Sequence, residues 1–115
     1  MKYLVLLAYP HSGWEHMTPD QQAESMNDHV RFHQAVGAHL LAGEALTDST
    51  AATTLRHAAG EPVLTDGPFA ETAEMIGGFY LIDAPDLDTL VDWCRILPHG
   101  YTIEIRPCVA IDLPG

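Results

Sequence analysis

Two histidines four residues apart, His29 and His33, are the residues whose type and spacing point most directly to chemistry. On a helix, side chains at i and i+4 lie one above the other, so both imidazoles would point the same way. Imidazole titrates near neutrality, and partial burial beside a carboxylate holds it there. A pair so placed serves as a general acid and base, or as two polar contacts to a ligand. The competing reading is a packed pair with satisfied nitrogens, or a helix edge less buried than the pattern implies. A metal site needs a third ligand that the sequence does not place, so no metal is expected.

Asp66 is the candidate carboxylate partner of His33, because a base oriented by an acid recurs in acid–base sites. It also precedes Gly67-Pro68, and an aspartate heading such a turn bonds to nearby backbone amides whatever else it does. Both readings stand at this level. Glu71 and Glu74 are spaced as neighbours on a short helix, where glutamates are more often solvated than catalytic. Tyr9 and His11 close the first apolar run, at a strand end that either opens on a cleft or leaves them as ordinary rim residues. Phe69 in the acidic loop and Tyr80 in the run after it complete the candidate ligand contacts. Arg106, one of five basic residues, either pairs with Glu104 or an acidic group of a second copy, or binds an anionic ligand.

The stretch from Thr65 to Asp83 ties these residues together. It reads as a tight Asp66-Gly67-Pro68 turn, the two glutamates, and Gly77-Gly78 opening an apolar run that closes on Asp83-Ala84-Pro85. Asp-Gly-Pro-Phe-x-Glu (66–71), Gly-Gly-Phe-Tyr-Leu-Ile-Asp-Ala (77–84) and Glu104-Ile105-Arg106-Pro107 resemble the DGPF-type branch of the YCII-related proteins, a likeness that runs from Tyr3 to Val109. The resemblance implies one domain over residues 1–115 and a homodimer packed sheet on sheet, of the dimeric α/β-barrel type. It places Glu71 at the acidic position of the loop signature, ahead of Glu74. The family usually carries lysine between these glutamates, and Ala73 stands here, so no role for that lysine transfers. Members are often encoded beside alternative sigma factors, which implies a stress or regulatory setting.

The elements that must position these side chains follow from periodicity. Tyr3 to Tyr9 is apolar at almost every position and reads as a central strand buried on both faces. Thr18-Pro19-Asp20-Gln21 is a helix start, with Thr18 as N-cap and Gln21 as its capping-box partner. The helix reaches about Val36, with Ala23, Met26, Val30, Phe32 and Val36 on one arc and both histidines near its middle. Leu40 to Thr47 reads as a strand in which Gly43 signals a bulge or a close backbone approach. Ala52 to His57 and Pro62 to Thr65 read as a hairpin, and Gly78 to Asp83 as another doubly covered strand. A second helix carries Leu87, Leu90, Val91, Cys94 and Leu97 on one stripe, and Tyr101 to Val109 is the last strand. The order β-α-β, hairpin, β-α-β is an α+β, ferredoxin-like pattern with an inserted β-hairpin. Two helices cover one face of a sheet, so a second copy is expected over the other.

Composition narrows the function. Sixteen acidic against five basic residues give a net charge of -11, which argues against nucleic acid or an anionic membrane as partner. No run approaches the roughly 18 apolar residues of a membrane span, and a cytoplasmic protein is expected. Cys94 and Cys108 form no CxxC and read as buried free thiols. No GxGxxG, P-loop, GxSxG or HExxH is present, so no cofactor is expected and no apparatus for a serine or cysteine nucleophile is visible. What remains is cofactor-free proton chemistry on a small aromatic or lactone-like molecule. The rivals are a non-catalytic module for a small ligand or a protein, and a structural dimer without a pocket.

Overall fold

Alternation within the first apolar run decides the architecture. In the computed structural model, which describes residues 1–114, Lys2–Pro10 form strand β1, and Tyr3, Val5 and Leu7 are buried on one face. Leu4, Leu6 and Ala8 point to the other and stay half-buried. Pro19–Val36 form helix α1, Leu40–Ala45 β2, Thr53–Ala58 β3, Glu61–Asp66 β4, Glu74–Asp83 β5, Leu87–Cys94 helix α2 and Thr102–Pro107 β6. The chain is thus α+β. Strands β2-β5-β1-β6 lie side by side in that order, every neighbouring pair antiparallel, which is compatible with a ferredoxin-like fold. Strands β3 and β4 pair only with each other.

The two strands with apolar residues on both faces, β1 and β5, occupy the centre of the sheet. Both helices pack on one face of it. Phe32 and Val36 of α1, with Leu90, Cys94 and Leu97 in and after α2, close over Tyr3, Val5, Leu7, Tyr80 and Ile82. Cys94 is buried and Cys108 half-buried, both free thiols. Burial pushes the Cys94 thiol up to about 11, so it packs as a small apolar group.

Thr18 caps α1 as the sequence indicates. Its side chain accepts from the Gln21 amide while the Gln21 side chain accepts from the Thr18 amide. The inward stripe of α1 differs from the expected arc. Ser25, Phe32 and Val36 are buried, whereas Met26 and Val30 are 54% and 52% exposed. The helix lies on the sheet along the 25-29-32-36 edge, which leaves the other half of its apolar arc to solvent.

The loop before β5 also differs. Residues 70–73 form no helix, and Glu74 opens β5 opposite Pro10, four residues before the expected start of that strand. The Thr72 hydroxyl donates to the Glu74 carbonyl, and Glu74 itself joins the β1 ladder opposite Pro10.

Candidate functional site

Four aromatic side chains from separate elements meet over the middle of α1. The capped helix sets His29 one turn beyond the buried Ser25, and strand β5 brings Tyr80 from beneath. Tyr80 can lie flat there because Gly43 of β2 has no side chain: a Cβ on Gly43 would sit 2.5 Å from the Tyr80 Cδ1 atom. Tyr101 arrives just ahead of β6 and stacks on Tyr9 from the end of β1, ring centroids 5.5 Å apart. Gly77 leaves the room that the Tyr9 ring fills and is the extra residue where the β1–β5 register shifts.

His29, Tyr80 and Tyr101, with His33, form one hydrogen-bonded chain. His29 Nδ1 lies 2.7 Å from the Tyr80 hydroxyl and His29 Nε2 lies 3.0 Å from the Tyr101 hydroxyl. The Tyr80 hydroxyl is also 3.1 Å from His33 Nε2. Two proton arrangements satisfy all three bonds with neutral imidazoles. In one, Tyr101 donates to His29, His29 Nδ1 donates to Tyr80, and Tyr80 donates to His33. In the other every donor and acceptor is exchanged, with His33 Nε2 donating inward. Converting one into the other shifts protons along the whole line between the exposed His33 and the half-buried Tyr101.

Electrostatics keep the inner members uncharged. Burial, then the nearby His33, lowers the pKa of His29, opposed by the Asp28 carboxylate. Burial raises the Tyr80 phenol to about 12, with a further contribution from Tyr101. Tyr101 is also raised, by burial first. The Ser25 hydroxyl is buried without a well-directed hydrogen bond, yet its polarity draws Tyr101 part of the way back. Both phenols therefore keep their protons at neutral pH. Asp28 is itself engaged by Arg31.

The profile of the YCII-related domain matches residues 1–109. This chain belongs to the YCII-related domain family. It is also 50% identical over 74 residues to an uncharacterised protein of Rhizobium meliloti (strain 1021), a stretch that is 61% of this chain and 59% of that protein. The chain thus spans about 59% of the length of the curated relative it matches.

In this YCII-related domain the sequence candidates fall into separate places. His29, His33, Tyr80 and Tyr9 come together, joined by Tyr101. Asp66 is the last residue of β4, exposed and paired across the ribbon with Thr53. Among the described residues no hydrogen bond or ion pair links it to His33, whose bond goes to Tyr80. Phe69 is exposed, and its carbonyl accepts from Arg56. Glu71 is exposed in the loop. Arg106 pairs with Glu104 at 3.5 Å on the sheet face away from the helices. His11 bonds to the Thr72 carbonyl. Among the described residues no group of three or more His, Cys, Asp or Glu converges as metal ligands. Among the described residues no helix is long and apolar enough to cross a membrane.

Tyr101 and Ser25 are the members that sequence reasoning passed over. Tyr101 carried a signal: in the alternation of the last strand it shares the inward face with Ile103 and Ile105. A tyrosine on a core face must find a partner for its hydroxyl.

Proposed function

We propose that this YCII-related domain binds a small molecule against α1 and transfers a proton to or from it through His33, Tyr80 and His29, with no cofactor. The observation that carries this reading is the Tyr80 hydroxyl, within hydrogen-bond distance of both imidazoles. A general base needs a route to shed the proton it takes, and here that route runs inward through a phenol that stays protonated. An open groove of about 460 Å³, lined by Met26, His29, Val30, His33 and Gln34, lies over the exposed end of the line. Met26 and Val30 offer apolar contact beside the histidines, as small-molecule sites commonly do. Tyr80 takes the place the sequence suggested for Asp66 as the group that orients His33.

We further propose a homodimer of the α/β-barrel type. The sheet face away from the helices carries Leu4, Leu6, Phe79 and Leu81 at its centre, flanked by Glu44, Glu104 and Arg106. Apolar rows in the middle of a sheet with polar edges suit a second sheet packed about 10 Å away.

The test is an NMR titration of the seven histidines in wild type, Tyr80→Phe and Asp66→Asn, with a screen of small lactones and aromatic carbonyl compounds. Under this reading Tyr80→Phe shifts both His29 and His33 titrations, and compounds that perturb them undergo proton exchange. Binding without exchange would leave a non-catalytic ligand module. Coupling of His33 to Asp66 alone would restore the aspartate pairing and remove Tyr80 from the role.

A further inference from the structure

A second group of reactive side chains shares no hydrogen bond with the α1 histidines. It lies where the end of β1, the 3₁₀ turn Ser49–Ala51 and the loop before β5 meet. His11 Nε2 is 3.0 Å from the Thr72 carbonyl oxygen. A carbonyl only accepts, so Nε2 carries the hydrogen and the neutral ring presents a lone pair at Nδ1. The Ser49 hydroxyl lies 3.4 Å from that Nδ1. The order is hydroxyl, imidazole, fixed acceptor, as in a nucleophile whose base is oriented by a third group. The separation is at the long end of a hydrogen bond, as is common for such pairs before a substrate closes on them.

The supports of this group are specific. Asp48 caps the 3₁₀ turn by accepting from the Thr50 amide at 3.0 Å, which fixes Ser49 at the first position of the turn. That bond holds the Asp48 carboxyl below the usual range, and the charge of His11 contributes to the same effect. Asp48 thus stays ionised at neutral pH and keeps the cap on the turn that carries Ser49. Thr72 is held in turn by its hydroxyl bond to the Glu74 carbonyl. Ser12, next to His11, has φ 58, a left-handed conformation unusual outside glycine and asparagine. Such strain gathers where a neighbouring side chain is held for a task.

We propose that Ser49 is a nucleophile activated by His11 and acting on small uncharged esters. Ser49 Oγ attacks the ester carbonyl carbon while its proton passes to His11 Nδ1. The bond from that carbon to the leaving oxygen breaks, and the imidazolium returns the proton to the leaving alkoxide. Water, deprotonated by the same imidazole, then cleaves the acyl-serine to carboxylic acid and free hydroxyl. Ser49 is half-buried and His11 exposed, so a small acyl group reaches Oγ directly from solvent. The net charge of -11 disfavours anionic esters.

The probe is 4-nitrophenyl acetate added to the full chain, with nitrophenolate release followed by absorbance and the acetylated residue located by peptide mass mapping. Acetyl on Ser49, no initial burst in Ser49→Ala, and Ser49 acetylation slowed about 100-fold or more in His11→Gln are expected. Unchanged NMR signals of His29 and Tyr80 in both variants establish that the fold is kept. Ser49→Ala alone decides the nucleophile if His11→Gln is poorly folded. No acetyl on Ser49, equal rates in wild type and His11→Gln, or a burst that persists in Ser49→Ala would overturn the proposal.

Discussion

Replacing Tyr80 with phenylalanine removes one oxygen and leaves two imidazole nitrogens, His29 Nδ1 and His33 Nε2, without their shared contact. His29 is half-buried, so its loss is only partly repaired by water. The expected cost is about 1–3 kcal/mol in chemical denaturation, and proton exchange on any bound compound should fall with it. His29 also makes stability depend on pH. Its folded pKa lies below the ordinary 6.5, so between those two values the unfolded chain binds more protons. Stability is therefore full above 6.5 and is lost as pH falls through that window. Urea midpoints measured from about pH 7 to about pH 5 should decline more steeply in wild type than in His29→Gln. Equal slopes would remove His29 as the source. The lowered carboxyls of Asp48, Asp83 and Asp86 act in the same direction, but only below their ordinary 3.8.

At the scale of elements, one glycine and one cap separate what holds the site from what holds the helix. Gly43→Ala would put a Cβ 2.5 Å from Cδ1 and 2.9 Å from Cε1 of Tyr80. The ring must move, at about 1–3 kcal/mol for overpacking, and the NMR signals of His29 and His33 should move with it. Thr18→Ala removes the α1 cap for about 1 kcal/mol, and because the stripe from Ser25 to Val36 still docks, those signals should stay in place. A Gly43→Ala protein with unmoved histidine signals would mean that Tyr80 is not positioned by β2.

The whole molecule is a plate, 48 × 42 × 19 Å. Nineteen ångströms accommodates one helix layer on one sheet, which leaves the second face of β1 and β5 without a second layer from the described residues. Leu6 lies at the middle of that face, between Phe79 and Glu104. If a second copy covers it, Leu6→Asp should convert the dimer to a monomer in sedimentation while helical circular dichroism persists. A wild-type chain that sediments as a monomer at all concentrations would end the dimer proposal.

Residue order alone determined the pieces whose physics is local. Thr18, Pro19 and Gln21 specify the start of α1 within one turn. The doubly apolar runs of β1 and β5 mark them as central strands, and alternation places Ile103 and Ile105 on the inner face of β6. Gly43 signalled a bulge or a close backbone approach; the register shift of β2 falls between Leu40 and Ala42, and it is the Tyr80 side chain that lies against the Gly43 backbone. The rotation of α1 was not legible, because Met26, Val30, Phe32 and Val36 share one broad arc and only the docked sheet selects which edge is buried. Spacing alone suggested a helical turn at Glu71 and Glu74, where Glu71 lies in an open loop and pairing with β1 makes Glu74 the start of a strand. The site belongs to tertiary structure for the same reason. Tyr80 lies 51 residues from His29 and Tyr101 lies 72 from it, and Ser49 lies 38 from His11. No local periodicity relates side chains so far apart, and they meet only because the helix and strands that carry them bury their apolar faces together.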